Sequence, residues 1–189
     1  MTKVALILTN NFADWEYAMI GGIGGSFYGL DVEYFSPTAG QLSSMGGITV
    51  VVPNGLSDLV DWQPDVVAVI GGTVWDSDAA PDISDLLVAQ YDKGVPIGGI
   101  CGGTLALARS GLLNANPHTS NNKEFLIKNA VGYEGASHYV QSASAVSSGR
   151  VVTAPGTAPV SFAAAIFEAA GVPQQTVSQF QELITAEHK

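Results

Sequence analysis

Pro96-Ile97-Gly98-Gly99-Ile100-Cys101-Gly102-Gly103-Thr104 holds the pattern on which the fold reading turns. A short apolar strand ends at Ile100, and helix-forming residues begin almost at once, through to Ser110 and a closing Gly111. A strand that breaks this sharply into a helix, with glycines on both sides of a cysteine, has the layout of a nucleophile elbow. The tight turn demands small neighbours, which accounts for Gly99, Gly102 and Gly103. The helix start is expected to stabilise a thiolate and lower the pKa of Cys101. The Gly102 amide is placed to face an oxyanion. The plainer reading is a buried structural cysteine in a glycine-rich turn.

Outward from this turn, strand-like and helix-like stretches alternate along the chain. Val4–Leu8 reads as a strand, Asp14–Tyr28 as a helix, Val32–Phe35 as a strand, and Ile48–Val52 as a β segment after the Gly46-Gly47 turn. Asp65–Ile70 is the most strand-like run and stops at Gly71-Gly72. Asp82–Lys93 reads as a helix and Pro96–Ile100 as the strand before the cysteine. Lys123–Asn129 follows as a short helix, then a hairpin of His138–Val146 with Arg150–Thr153. Helices over Ala158–Ala170 and Thr176–Glu187 complete the chain. Apolar strands alternating with helices predict one α/β domain over residues 1–189, a doubly wound, mainly parallel sheet sandwiched by helices. Ligands of such sheets sit beyond the carboxyl ends of the strands. That directs attention to Asn10–Glu16, Gly71–Asp76 and Cys101.

Composition narrows the classes of function. The chain has 189 residues, 47% hydrophobic and 13% charged, with 17 acidic against 7 basic side chains and a formal charge of −10. Clustered lysine and arginine are absent, so nucleic acid and anionic membranes are not expected partners. No apolar run reaches the ~18–20 residues of a membrane span. Met1-Thr2-Lys3 leads straight into a strand rather than a signal peptide, and a lone cysteine forms no internal disulfide. A cytoplasmic protein is expected. Ala18, Gly22, Gly25 and Gly29 form a small-residue stripe on the first helix, pointing to close approach of a second backbone in a homodimer. No cluster has metal-ligand spacing and no glycine group forms a nucleotide fingerprint, so neither metal nor cofactor is expected.

Around Cys101 the candidate partners differ in strength. Glu16, in Asp14-Trp15-Glu16-Tyr17, can exchange a proton with the thiol, or simply favour the start of its helix. Gly72 or Thr73 can supply a second oxyanion amide, with Asp76 or Thr73 otherwise acting as a helix cap. Trp75, Phe12 and Trp15 suggest a small, partly apolar substrate pocket, or only core. Histidine is the usual base for a catalytic thiol. His118 is the better candidate, His138 reads as a solvent-facing strand residue, and His188 lies in the tail.

Taken together, these residues resemble the ThiJ/PfpI superfamily, with its flavodoxin-like, class I glutamine amidotransferase-like fold. The resemblance runs from Val4–Tyr17 through Ala68-Val69-Ile70-Gly71-Gly72 and Ile100-Cys101-Gly102-Gly103 to Thr153-Ala154-Pro155-Gly156-Thr157-Ala158. It implies Cys101 as the elbow nucleophile, Glu16 as its acidic neighbour, Gly72 and Gly102 as oxyanion-side amides, and a homodimer. Relatives include the parkinsonism-associated deglycase-like proteins and isonitrile hydratases. The departures are specific. Gly102 stands where some branches carry a histidine after the cysteine. Asn121 falls in register with another histidine, leaving His118 displaced. The C-terminal histidine and glutamate of amidotransferases have no counterpart near Thr153–Phe162. Glutamine hydrolysis and proteolysis are therefore disfavoured. The expected activity is that of a cysteine-nucleophile hydrolase or lyase on a small electrophile, such as a 2-oxoaldehyde, a glycated adduct or an isonitrile. A redox-sensing stress-response protein with an oxidisable Cys101, or a chaperone-like binding module, are the alternatives.

Overall fold

The computed structural model describes residues 1–186. Its elements in chain order are β1 (Lys3–Ile7), α1 (Asp14–Tyr28), β2 (Asp31–Phe35), β3 (Gly40–Ser43), β4 (Thr49–Val52), α2 (Leu56–Trp62) and β5 (Val66–Val69). After them come α3 (Ser84–Asp92), β6 (Ile97–Ile100), α4 (Gly103–Arg109), α5 (Lys123–Asn129), β7 (Val146–Ser148), β8 (Val151–Ala154), α6 (Pro159–Ala169) and α7 (Gln174–Ile184). Single 3-10 turns cover Thr73–Asp76 and Gly135–Ser137.

The six-stranded sheet has the order β2-β1-β5-β6-β8-β7, parallel except for the β7 edge. This is the doubly wound α/β architecture read from the sequence. Every residue of β5, β6 and β8 is buried, as expected of strands covered on both faces. One face carries α1, α6 and α7 over a core including Leu6, Ala68, Ile100, Phe162 and Phe167. The other carries α2 to α5 over Ile7, Val69, Trp75, Leu105 and Leu107. The strand order reverses at β1, whose neighbours are β2 and β5. The loops after β1 and β5 therefore leave side by side, and a crevice opens between them.

The glycine pair in β6 has a packing reason. A Cβ on Gly98 would stand 2.6 Å from Ile166 of α6, and one on Gly99 would stand 2.8 Å from Leu107 of α4. The two glycines let a helix close against each face of the strand that ends in Cys101.

Differences from the sequence reading have local causes. The nucleophile helix starts at Gly103, because Cys101 holds φ +54° and cannot belong to it. The hairpin shortens to Val146–Ser148 with Val151–Ala154. Ser142 and Ser161 hydroxyls take up the preceding backbone as turns, at Ser144 and Ala145. Strand β3 and helix α2 were not expected. α2 starts where Asp58 accepts the Gly55 amide at 2.6 Å, and β3 pairs with β4 across the predicted Gly46-Gly47 turn. The last helix spans Gln174–Ile184, and the predicted Glu187 and His188 lie outside the described residues. Ala18, Gly22, Gly25 and Gly29 are exposed, and a Cβ on Gly22 would meet nothing within 4 Å. Among the described residues, no helix is long and apolar enough to cross a membrane.

Candidate functional site

Strand β6 delivers Cys101 to the carboxyl edge of the sheet, and the turn that follows holds it in the left-handed region at φ +54°. For a residue with a Cβ that conformation costs roughly 1–3 kcal/mol and persists only where surrounding bonds impose it. Here the Cys101 amide donates to Ala154 O at 3.0 Å. Its carbonyl accepts from the Thr104 amide at 3.2 Å and the Thr104 hydroxyl at 2.6 Å. The Thr104 hydroxyl also lies 2.6 Å from that of Ser120. The strain places the side chain, half-buried, over the crevice.

Glu16 reaches the same point from the first turn of α1. Its side chain is 1% exposed; Oε2 accepts the Gly71 amide at 2.8 Å, and Oε1 has no hydrogen-bond partner in the protein. A Cβ on Gly156 would stand 2.9 Å from Cys101 Sγ and 3.0 Å from Glu16 Oε1. Both atoms therefore converge on Gly156, which closes over them as a residue without a side chain. On the opposite side, a Cβ on Gly71 would be 2.7 Å from that of Cys101 and would also collide with Glu16 Oε2.

Asn121, from the loop before α5, completes the enclosure. Its Nδ2 donates to Cys101 Sγ at 3.3 Å, while its Oδ1 accepts the Gly156 amide at 2.9 Å. Trp15 Nε1 donates to Gly156 O at 2.9 Å, fastening the roof from the start of α1. The sequence reading noted Asn121 as a replacement for histidine but gave it no role. Its register after the nucleophile helix was the available signal.

Burial pushes the Glu16 carboxyl up to about 7, against the neighbouring thiol and the Gly71 amide, which favour its charge. The thiol is pushed up to about 11 by burial and by the carboxylate it faces, against stabilisation from Asn121 and the Gly102 amide. The expected lowering by the helix start is outweighed. Two acids this close titrate as a pair: the first proton leaves near neutrality, and the second is held by repulsion between the charges. Singly deprotonated, the pair has two forms, carboxylate with thiol or carboxylic acid with thiolate.

The other candidates divide. The Thr73 amide donates to Asn11 O at 3.3 Å, and Ala13 donates to Gly71 O at 3.0 Å. These bonds flank Gly72 in its bridge to Phe12 and commit the Thr73 amide away from the thiol. Trp75 is fully buried: its Nε1 donates to Ile70 O at 2.9 Å, and its side chain lies against Gly102. It is a wall beneath the elbow rather than a substrate surface. Phe12 is buried too, leaving Trp15, 47% exposed, as the accessible aromatic of the three. His118 is buried away from solvent, with Nδ1 2.7 Å from Asn116 O and Nε2 2.7 Å from the Tyr133 hydroxyl. Both nitrogens are thus committed elsewhere than the thiol, and burial lowers its pKa. His138 is exposed in a loop, not a strand. No group of three or more His, Cys, Asp or Glu among the described residues is arranged to hold a metal.

Comparison with known proteins places the chain among relatives. Over 173 residues, covering 88% of this chain and 82% of the relative, the sequence is 29% identical to the uncharacterized protease YoaZ of Bacillus subtilis. The DJ-1 superfamily protein Atu0886 from Agrobacterium tumefaciens superposes with a TM-score of 0.94 at 33% identity, each chain fully covered. The thiJ/pfpI family protein from Bacillus anthracis gives 0.85 at 27%, covering 100% of this chain and 92% of its own. The DJ-1/PfpI family profile matches residues 2–169, a span that holds the elbow, Glu16, Asn121 and the Gly156 loop alike, and the chain belongs to that family.

Proposed function

We propose that this protein is a cysteine-dependent enzyme acting on a small electrophilic carbon, with Cys101 as nucleophile and Glu16 as its proton-handling partner. The observation that carries this reading is the convergence of Cys101 Sγ and the unpartnered Glu16 Oε1 on Gly156. In the reactive form Glu16 holds the proton and sulfur carries the charge. With a 2-oxoaldehyde, the thiolate adds to the aldehyde carbon, the carbonyl π electrons move to oxygen, and Glu16 delivers its proton there. A thiohemiacetal results, and the carboxylate is left to take a proton back. The Gly102 and Gly72 amides suit the oxygen while it is charged. An isonitrile fits the same scheme: the thiolate adds to its terminal carbon, the electron pair left on that carbon takes the Glu16 proton, and a thioimidate results.

B. subtilis YoaZ is named a protease, and peptides are therefore worth testing as substrates. The groups that bond to or act on the thiol here are Glu16, Asn121 and Gly102. Cleaving an amide requires protonation of a leaving amine, which histidine usually performs; this favours small electrophiles over peptides.

A second reading rests on the unpartnered Oε1. A protonated Glu16 can donate to a Cys101 sulfinate formed by peroxide, making the site a redox sensor. We also propose a homodimer through the exposed stripe of α1, and a reducing cytoplasm as the setting in which a lone thiol stays free.

The deciding experiment is the pH dependence of Cys101 alkylation by iodoacetamide in wild type and Glu16→Leu, alongside turnover of methylglyoxal and a casein control. Support is methylglyoxal consumption lost in Cys101→Ala, with an alkylation profile that inflects near neutrality and moves when Glu16 is removed. Profiles that coincide, with no turnover, would remove the proposed pairing. Peroxide-dependent sulfinate formation without turnover would select the sensor.

A further inference from the structure

Away from Cys101, a cavity of about 270 Å³ opens between α1, β2 and β4. Its walls are apolar and aromatic: Leu8, Phe12, Tyr17, Tyr34, Val50 and Val52. Phe12 meets Tyr17 edge-on at 5.5 Å, and Tyr17 meets Tyr34 edge-on at 6.0 Å. Glu33 and Asn54, with Val51 and Pro53, complete the lining at the open edge of the sheet. Glu33 and Asn54 also line a second cavity on the α2 side, with Asp58, Asp61 and Trp62. Among the described residues, no lysine or arginine lines either cavity. Lys3, which stacks on Trp62, is tied to the Trp62 carbonyl at 2.8 Å.

The chemistry of this rim is one-sided. Asn54 gives one N–H of its Nδ2 to Tyr34 O at 3.3 Å, which leaves its carbonyl oxygen and one further N–H for a ligand. Glu33 is near enough to Tyr34 to help raise the pKa of that phenol. An anion entering here would meet the Glu33 carboxylate with no cationic side chain among the described lining residues; a neutral apolar molecule would bring no donor to Glu33 or to the Asn54 oxygen. A cation with N–H donors satisfies both residues while its body packs on tyrosine and phenylalanine rings, which attract positive charge through their faces. The chain's charge of −10 favours the approach of cations as well.

We propose that this cavity is a binding site for a small primary amine with an aromatic or branched apolar body, its ammonium held by Glu33 and Asn54. The site stands apart from the nucleophile but shares its scaffold. Phe12 belongs to the loop that bridges Gly72, and Tyr17 follows Glu16 on α1.

The test is an NMR titration of the ¹⁵N-labelled full chain with benzylamine, and in parallel with benzyl alcohol, at pH 7.5 and fixed ionic strength. Expected are shifts centred on Tyr17, Tyr34 and Val50–Asn54, with benzylamine bound about tenfold more tightly than the alcohol, one charge contact's worth. Glu33→Gln should erase that difference, and Val50→Trp, which fills the cavity, should abolish both. Binding should persist in Cys101→Ala, which separates this site from the enzymatic reading. Equal affinity for the two probes, shifts centred elsewhere, or no shifts would overturn the proposal. So would cavity shifts that follow protein dilution instead of amine, since a second copy over the exposed Val51 and Ile48 would then be the occupant.

Discussion

The Asn121 carboxamide stands between Cys101 and the loop above it, its nitrogen 3.3 Å from the sulfur and its oxygen 2.9 Å from the Gly156 amide. The two bonds fix which end of the amide faces sulfur, because only the nitrogen end donates. Sulfur therefore receives a neutral donor at a position where a histidine would bring a titrating one.

Replacing that donor should slow the thiol without unfolding the protein. Asn121→Ala is expected to reduce the iodoacetamide rate at pH 8 several-fold. Asn121→Asp, which sets a negative charge beside sulfur, should reduce it by about tenfold or more, each pKa unit being one decade of thiolate. Circular dichroism should show both variants folded. An unchanged rate in Asn121→Asp would mean the amide only holds the loop.

Glu16 makes stability depend on pH. Its pKa is about 7 in the folded protein against 4.5 for the free group. Between those values the native state binds more protons than the unfolded chain, so stability falls as pH rises. The loss begins near 4.5, is complete above 7, and amounts to at most about 3 kcal/mol. The Tm of wild type should therefore fall from pH 5 to pH 7.5 relative to that of Glu16→Gln, which shares every other titrating group, the buried His118 included. Parallel curves for the two proteins would show that Glu16 is ordinary.

Gly156 leaves no room for a methyl group. Gly156→Ala would set its Cβ 2.9 Å from Sγ and 3.0 Å from Oε1. We expect a cost of about 1–3 kcal/mol and a fall of at least about tenfold in alkylation, as the methyl excludes the reagent. Urea unfolding and mass-spectrometric labelling measure the two effects separately. Full reactivity would show that reagents approach from another side.

Gly22 presents the opposite situation. It is exposed in mid-helix, and a methyl there meets nothing within 4 Å of this chain. In a monomer, Gly22→Ala should stabilise α1 by roughly 0.5–1 kcal/mol through helix propensity. If α1 packs on its copy, the bulkier Gly22→Leu should instead dissociate the dimer in light scattering. A wild-type monomer at all concentrations would end the dimer proposal.

Much of this architecture was legible in the residues, for identifiable reasons. Val66–Val69 and Ile97–Ile100 are buried on both faces, and such strands show as unbroken apolar runs. α1 and α5 were read with the bounds the structure shows, the first closed by Gly29 at φ +67° and the second opened by the Asn122 cap. Strand β3 was invisible because Gly40-Gln41-Leu42-Ser43 has one buried side chain and depends on β4 for its form. At the site, Cys101 and Glu16 carried chemical signals of their own. Asn121 carried none, since an amide in a polar loop acquires its meaning only from what faces it. His118 drew attention by residue type, yet Asn116 and Tyr133 had already claimed both its nitrogens.

Trp15 and Gly156, joined by one hydrogen bond, lie 141 positions apart. A ribosome adding ~5–20 residues per second needs roughly 7–28 s to travel between them. Cys101 enters the chain partway through that interval, and for the last roughly 3–11 s of it the nascent chain contains the cysteine but lacks the loop that will cover it. The finished reactivity of this thiol is therefore acquired late in synthesis. A chain truncated before Gly156 would carry an unroofed sulfhydryl with none of the selectivity proposed for the mature protein.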